Sequence, residues 1–427
     1  MKRAYHRKPG VSMRRETAVL TVVGQCGLVL SSFGCLSPGP EADAEAADVA
    51  KAPLGWGGPV DAKEIRVWSR ESLDAAPRWR VAPEPDYAMV LDSVEQIIGE
   101  HVIRVQRFVA EGAFLPEGRV ALLSRTGSRP ESPLLYLIDR KRGDAIGIGP
   151  PEGEAGESLD WDSFEMAVTV NQRFVLVGYN ADYRVRRTGL DVWYVHRDGR
   201  FTEPPSYVEV EGGLLGTFAD GSLAMWTSPE LGDTTIVTRI VAARVTDGPS
   251  RVAEGRQAEV LFTTANPRDP DRYDTLANWT SHPARVTVVA GDTIWVIPTE
   301  RPELLAVHRS GAVALKVEWE AGDRSVPAEA PSDFWKGAER FPAAAELQLG
   351  ADGLLYVRRW EVIDGRYPNL GLEWLVFTQA GDLIARLDML PHWWSAQILE
   401  FGHEEVLVVV SDDGAPHEVR IHAIERQ

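Results

Sequence analysis

Short runs of hydrophobic residues alternate with polar turns between Gly350 and Leu390, and the runs have the length of β-strands. Leu354 to Val357 is apolar at successive positions, which is typical of a strand covered on both faces. Leu372 to Phe377 is a second run of aromatic and branched residues. The third run, Leu383 to Met389, alternates apolar residues with more polar ones such as Arg386, which predicts a strand with one face in water. The stretch predicts a three-stranded antiparallel meander closed by tight turns.

The same pattern recurs along the chain: a turn with Gly or Asp, an apolar run, a gap, a second apolar run and another polar turn with Gly. Six copies can be marked, at intervals that mostly suit a sheet and its connections. They begin at Glu117-Gly118, Asn171, Asp220-Gly221, Gly291-Asp292, Asp352-Gly353 and Gly402-His403. Between the third and fourth copies, residues 260–285 are predicted to form a loop that projects from one face of the array.

Recurring sheets of this kind are typical of a β-propeller. The last copy reaches Gln427 with only two strand-like runs, whereas Ile65 to Trp68 and Trp79 to Val81 are strand-like but belong to no copy. A ring in which an N-terminal strand completes the last sheet accounts for both observations, and its closure leaves no open sheet edge. We therefore predict an all-β fold over residues 61–427, a six-bladed β-propeller closed by one of these two N-terminal strands.

The repeated units resemble those of the six-bladed propellers of the NHL and TolB-like superfamily. The matching pieces are ADGLLYV with LVFTQAG, GDTIWVI with LAVHRSG, and VWYVHRDG. Phe341-Pro342 before the fifth copy also resembles a turn of these proteins. The resemblance covers about Arg78 to Ile424 and implies the fold, whereas propellers serve many functions.

The first 34 residues predict an export signal. A basic stretch ending in Arg14-Arg15 precedes the apolar run from Ala18 to Leu30, which is short and interrupted for a membrane span. Gly34-Cys35 resembles the end of a bacterial lipoprotein signal, so Cys35 is the predicted site of lipidation; cleavage without lipid and an uncleaved anchor are the alternatives. Residues 35–60 are rich in Ala, Pro, Gly and acids and predict a flexible tether.

The net charge and the cysteine content exclude several classes of partner and chemistry. The chain carries a net charge of −18, and its basic residues are concentrated in the signal, so the body is still more acidic. Such a body repels phosphate backbones and anionic lipid, which argues against nucleic acid as a partner and leaves only the N-terminal anchor for membrane contact. The two cysteines, Cys26 and Cys35, both precede the predicted body, which excludes a disulfide or thiol nucleophile there.

Candidate chemistry is sparse. His196 and His308 occupy matching turns of the repeat, which indicates a scaffold role. His417 and His422 lack the HExxH spacing and lie in an alternating run, which indicates a strand. The acidic stretch around Asp271 lacks the glycine and terminal Glu of a calcium-binding hand. Five tryptophans lie in or beside connecting segments, where they either line a mouth for a ligand or fill gaps between sheets: Trp161, Trp335, Trp360, Trp393 and Trp394.

The favoured hypothesis is an exported, lipid-anchored propeller of the cell envelope that binds an unidentified protein, peptide or small molecule through loops on one face. A metal-dependent hydrolase or lyase of the lactonase-like kind is the alternative, with a metal on the ring axis. Its ligands would come from the starts of the inner strands: Glu117, Asn171, Asp220, Asp292, Asp352 and His403. Because most of these belong to turn-forming pairs with glycine, no catalytic, cofactor or metal residue is predicted. A structural role in an envelope complex stays open.

Overall fold

The computed structural model describes part of the chain between residues 54 and 426. The described residues are 54–55, 61–90, 93–98, 101–106, 108–115, 118–125, 135–148, 165–168, 174–179, 190–195, 206–208, 210, 212–227, 230–231, 235–245, 258–267, 287–298, 301–326, 341, 343–360, 373–390, 396–410 and 418–426. The predicted signal (1–34), Cys35 and most of the predicted tether (35–60) lie outside them, so those expectations stay predictions.

Four strands and a short helix precede the repeated sheets. They are β1 (Leu54–Gly55), β2 (Glu64–Trp68), α1 (Arg70–Ala75), β3 (Arg78–Val81) and β4 (Tyr87–Val90). The helix begins after Ser69, whose hydroxyl accepts a hydrogen bond from the backbone N–H of Ser72 at 3.2 Å, as an N-cap does. Its only fully buried side chain is Leu73, and it ends just before Pro77. A two-stranded hairpin follows, β5 (Ser93–Ile98) with β6 (His101–Gln106).

Within the described residues, the remaining strands form six antiparallel groups that follow one another along the chain. The first sheet holds β7 (Phe108–Leu115), β8 (Arg119–Arg125), β9 (Leu135–Asp139) and β10 (Asp144–Ile148). The second holds β11 (Glu165–Val168), β12 (Phe174–Tyr179), β13 (Leu190–Val195) and β14 (Ser206–Val208). The third holds β15 (Gly212–Thr217), β16 (Leu223–Thr227), the short β17 (Glu230–Leu231), β18 (Thr235–Ala243) and β19 (Ala258–Pro267).

The later sheets repeat this order. The fourth sheet holds β20 (Thr287–Ala290), β21 (Thr293–Val296), β22 (Glu303–His308) and β23 (Val313–Trp319). The fifth holds β24 (Ala344–Leu349), β25 (Leu355–Arg359), β26 (Glu373–Phe377) and β27 (Leu383–Asp388). The sixth holds β28 (Gln397–Phe401), β29 (Glu405–Val410) and β30 (Glu418–Arg426). The predicted meander of Gly350 to Leu390 is therefore confirmed, and the first strand of each sheet is one that the sequence copies did not include.

The N-terminal strands cover the outer edges of four consecutive sheets. β1 pairs in parallel with β19 of the third sheet, β2 with β23 of the fourth, and β3 with β27 of the fifth. We call β1 to β4 the N-terminal belt, because its strands pair with the last strands of successive sheets, whose edges would otherwise expose backbone groups.

The sixth sheet takes its outer strand from the same belt. β3 pairs with the end of β30, with Val81 opposite Ile424, and β4 pairs with its beginning, with Val90 opposite Glu418. Of the two strands predicted as alternatives for this place, Trp79–Val81 pairs with the last strand and Ile65–Trp68 pairs with the fourth sheet. The pairing of β4 was not expected.

Six clusters of buried apolar residues lie between consecutive sheets, and they explain the hydrophobic pattern. In β26, Trp374 and Val376 belong to the cluster shared with the sixth sheet, whereas Leu375 and Phe377 belong to the cluster shared with the fourth. A strand sandwiched between two sheets is apolar at every position. The last cluster packs Leu407, Val409 and other residues of the sixth sheet against the first sheet.

The first strand of each sheet contacts the first strand of a neighbouring sheet. β7 contacts β11, β11 contacts β15, β15 contacts β20, β20 contacts β24, β24 contacts β28, and β28 contacts β7. We call these six strands the inner strands, because they lie at the end of each strand order opposite the belt.

Two expectations were wrong in detail. Residues 260–267 are part of strand β19 rather than of a projecting loop. The third run of the meander does not present a water face at Arg386, which is only 5% exposed. Its guanidinium is buried because it has acidic partners, Asp74 at 3.0 Å and Glu373 at 3.7 Å.

Candidate functional site

The connections between strands lie at the two ends of the strands, and the two ends hold unequal numbers of connecting residues. The connections from first to second strand and from third to fourth strand lie at one end of the strands, which we call the turn edge. The connections from second to third strand and from sheet to sheet lie at the other end of the strands, which we call the loop edge. Between the described strands, more residues separate the strand ends at the loop edge than at the turn edge: residues 126–134, 268–286 and 360–372 connect strands at the loop edge, and residues 196–205 and 244–257 connect strands at the turn edge.

A buried charge cluster supports the loop edge of the fifth sheet. Glu373, at the start of β26, accepts a hydrogen bond from the guanidinium of Arg359 at the end of β25. Arg386 donates to Asp74 of helix α1 and lies 3.7 Å from Glu373. Both arginines are 5% exposed, and both lie within ion-pair distance of Glu373. The cluster fixes the strand ends from which the long connection 360–372 leaves.

One of the five singled-out tryptophans is described, and it fills a gap in the core. Trp360 is 1% exposed and stacks on Phe341, with ring centroids 5.7 Å apart and planes 16° apart. The stack shows that Phe341 packs beside the fifth sheet, whereas Pro342 lies outside the described residues. Trp161, Trp335, Trp393 and Trp394 lie outside the described residues, as do His196, Asp271 and its acidic neighbours.

The inner strands carry carboxylates, but each is used to hold a neighbouring strand. Glu111 of β7 accepts a hydrogen bond from the backbone N–H of Met166 in β11 at 2.6 Å. Glu400 of β28 accepts one from the backbone N–H of Phe114 in β7. Gln348 of β24 donates to the carbonyl of Ile398 in β28 at 3.2 Å. Such bonds satisfy backbone groups on the side of an inner strand where its own sheet has no further strand.

The axial metal site of the alternative hypothesis needs several converging acid or histidine side chains. Within the described residues, no group of three or more His, Cys, Asp or Glu side chains could hold a metal ion. Asp220, Asp292, Asp352 and His403 were expected at the starts of the inner strands, and the structure corrects this placement. They lie in the turns that follow the inner strands, at the starts of the second strands. Glu117 and Asn171 lie outside the described residues.

These turn residues stabilise their own turns. The Oδ1 atom of Asp220 accepts hydrogen bonds from the hydroxyl of Ser222 at 2.6 Å and from its N–H at 3.0 Å. The bond from the Ser222 hydroxyl, together with Arg309, lowers the pKa of Asp220 to about 2. Asp352 accepts from the N–H of Leu354 at 3.1 Å and from the hydroxyl of Tyr356 at 2.9 Å. The side chains of Asp220 and Asp352 are therefore engaged in structural contacts.

Arginines at the turn edge link neighbouring sheets, and the sequence analysis missed them. Arg140, after β9, forms a bidentate ion pair with Glu405 of the sixth sheet at 2.6 and 3.1 Å. Arg309, after β22, pairs with Asp220 of the third sheet at 2.6 Å. The two arginines occupy the same place in the repeat, directly after the third strand. The sequence signal was the arginine that follows Asp139 in LIDR and His308 in AVHR.

Two of the described histidines have structural contacts. His308 is exposed, and its Nδ1 accepts a hydrogen bond from the N–H of Ser310 at 3.1 Å, which closes the turn. His422 is 1% exposed in β30, and its Nδ1 lies 2.9 Å from the carbonyl of Ala82, between β3 and β4. The strand prediction is confirmed from Glu418 onward, whereas His417 lies outside the described residues, and His422 ties the last strand to the N-terminal belt.

Among the described residues, no helix has the length and apolarity that a membrane crossing requires. No family model matches the chain, and no curated protein matches its sequence.

Solved structures show distant similarity. A protein from Bacteroides fragilis described as exported is 11% identical with a TM-score of 0.39, over 85% of this chain and 99% of that one. The calcium-binding protein regucalcin from Agrobacterium tumefaciens is 13% identical with a TM-score of 0.35, over 82% of this chain and 97% of that one. The β-propeller domain of the Trilobed protease from Pyrococcus furiosus is 9% identical with a TM-score of 0.32, over 75% of this chain and 95% of that one.

Proposed function

We propose that the chain is an exported six-bladed β-propeller, held to a membrane by lipid at Cys35, and that it binds a protein, peptide or small-molecule ligand through the loop edge. The ring is supported by the six inner strands, each of which contacts the next, and by the apolar cluster between the last and first sheets. Its closure by the N-terminal belt is supported by the pairing of β3 and β4 with β30.

The observation that carries the binding role is the unequal distribution of connecting chain. More of the chain connects the described strands at the loop edge than at the turn edge, and binding residues are disproportionately found on connections between strands. At the opposite edge, Arg140, Arg309, Asp220 and Glu405 are used in contacts between sheets. The loop edge therefore has the greater freedom to vary its surface and to recognise a ligand.

The binding face can be tested by site-specific photo-crosslinking in the native cell envelope. A photoreactive residue replaces Ser128 or Asn369, which lie in loop-edge connections, in the full-length chain. The controls carry it at Lys141 or Ala380, which are exposed in turn-edge turns. We expect a discrete adduct from the loop-edge positions and none from the turn-edge positions. Adducts from the turn-edge positions alone, or none from any of the four, would contradict the proposal.

The lipid anchor can be tested independently of the ligand. The full-length chain should incorporate labelled fatty acid and sediment with membranes, and Cys35→Ala should abolish both. Cys26→Ala is the matched control, because it also removes a cysteine of the signal but should change neither result. Retention of the label in the Cys35 variant would refute lipidation at that position.

A further inference from the structure

The seam between the sixth and first sheets is the contact that joins the two ends of the repeated array. Gly112 of β7 faces Leu399 and Leu407 of the sixth sheet so closely that an added Cβ would lie 2.8 and 2.9 Å from their methyl groups. At the turn edge, the seam is held by the ion pair between Arg140 and Glu405. Loosening this seam would open the ring without unpairing any sheet.

Glu400 sits within this seam. It lies on β28, the inner strand of the sixth sheet, is partly buried, and accepts the hydrogen bond from Phe114 of the first sheet. Burial of the carboxyl raises its pKa to about 8, with the hydrogen bond from Phe114 opposing the shift and the negative charge of Asp352 adding to it. The folded chain therefore favours the protonated form of this carboxyl more strongly than an exposed Glu does.

The charged groups on the surrounding elements give Glu400 no compensating cation. Asp352, in the turn between β24 and β25, accepts the hydroxyl of Tyr356. The other nearby strands and turns carry groups that pair with one another: Glu111 with the N–H of Met166, Glu346 with Arg358, and Glu405 with Arg140. Among the described residues, no Lys, Arg or His forms an ion pair with Glu400.

We propose that the seam between the sixth and first sheets is a pH-sensitive joint, which is tight while the Glu400 carboxyl is protonated and loosens when it ionises. An ionised carboxylate at this position has lost part of its water, faces Asp352, and has only the N–H of Phe114 as compensation. Separation of the inner strands β7 and β28 would let water reach the ionised carboxylate and hydrate its charge. The joint would let the environment of an exported protein alter the packing of its ring.

The direction of the effect follows from linkage. The pKa of Glu400 is higher in the folded chain than in the unfolded chain, so the folded state binds this proton more tightly. The stability that the proton contributes is complete below the ordinary glutamate range. This stability is lost as pH rises towards about 8, and the unfolding equilibrium constant then increases by at most about tenfold for each pH unit.

The test compares the full-length chain with its Glu400→Gln variant by urea unfolding at pH 5, 6, 7, 8 and 9. Gln keeps an oxygen that accepts the Phe114 N–H and cannot ionise, so it imitates the protonated acid. We expect similar stability at pH 5 and an unfolding constant at pH 8 that is about tenfold or more lower in the variant than in the wild type. Parallel profiles over this range would overturn the proposal.

Two further measurements separate the joint from general effects of charge. Glu405→Gln, at the same seam, removes a carboxylate charge from the pair with Arg140 and leaves Glu400 in place, so its stability profile should keep the wild-type slope between pH 6 and 9. Asp352→Asn should make the loss of stability smaller and end it at a lower pH, because it removes a negative neighbour that raises the pKa of Glu400 in the folded chain. Amide exchange, corrected for its intrinsic pH dependence, should accelerate between pH 6 and 9 in β7 and β28 more than in β20, and equal changes in all three would refute a local joint.

Discussion

Removing Arg140 should weaken the seam between the sixth and first sheets. Its guanidinium makes three contacts at the seam: the bidentate pair with Glu405, a hydrogen bond to the carbonyl of Gly118 at 2.9 Å, and a cation–π contact 5.7 Å from the ring centre of Phe114. The two charged side chains are 22% and 24% exposed, so the pair is only partly screened by water.

The expected loss of unfolding free energy is the sum of the contributions of these contacts. A partly buried bidentate pair contributes about 1–2 kcal/mol, the hydrogen bond about 1 kcal/mol and the cation–π contact about 0.5 kcal/mol. Arg140→Ala should therefore cost about 2.5–3.5 kcal/mol, whereas Glu405→Ala, which loses only the pair, should cost about 1–2 kcal/mol. The double variant should reveal a coupling energy close to the cost of Glu405→Ala.

The assay is equilibrium urea unfolding of the four chains of this cycle, with Arg142→Ala as the matched control. Arg142 lies in the same turn and pairs with Asp139 at 3.6 Å, but its side chain is 79% exposed. That variant should lose less than about 0.5 kcal/mol. A zero coupling energy between Arg140 and Glu405, or an Arg140 variant no weaker than the Arg142 control, would refute the assignment of Arg140 to the seam.

Three further variants test other parts of the structure. Gly112→Ala should cost about 1–3 kcal/mol in urea unfolding, because the added methyl group meets Leu399 at 2.8 Å; an unchanged midpoint would contradict the packing of the seam. Asp220→Asn should reduce stability at neutral pH by no more than about 1 kcal/mol, since the group is exposed, and the difference from the wild type should vanish as pH falls from about 4 to 2; a constant difference over that range would exclude the lowered pKa. Arg386→Met should cost about 2–4 kcal/mol because it leaves Asp74 and Glu373 with one cation fewer, and an unchanged stability would show that the cluster is not coupled to the fold.

The sequence was sufficient for the strands that are covered on both faces. Leu372 to Phe377 predicted β26 because a strand between two apolar clusters leaves an unbroken hydrophobic run. The inner strands were harder, because short or glycine-rich segments such as β15 and β20 carry few large apolar residues and face the centre of the array. The pattern therefore marked the second strand of each sheet as its beginning.

The belt could not be derived from the pattern, since it depends on pairing between residues far apart in the chain. Ile65 to Trp68 is recognisable as a strand, but nothing local shows that it pairs with β23 rather than with β30. Arg386 was assigned to a water face because alternation reports polarity and cannot identify a buried ion pair. Arg140 was visible only as a charge in a turn, since its partner Glu405 lies in another sheet.

The most direct test of the fold is a disulfide between the N-terminal belt and the last strand. Ala88 of β4 lies opposite Arg420 of β30, and directly opposed residues in antiparallel strands have Cβ atoms about 5 Å apart. Cysteines at these positions, in a full-length chain with Ser at Cys26 and Cys35, should form an intramolecular disulfide under mild oxidation.

Cysteines at Ala88 and Glu425 provide the out-of-register control. Glu425 lies opposite Arg80, five positions along β30 from Arg420, or about 16 Å away in an extended strand. Peptide mapping should find the 88–420 disulfide in monomeric protein and should not find the 88–425 disulfide. Absence of the first, or equal yields of the two, would contradict closure of the array by its N-terminal belt.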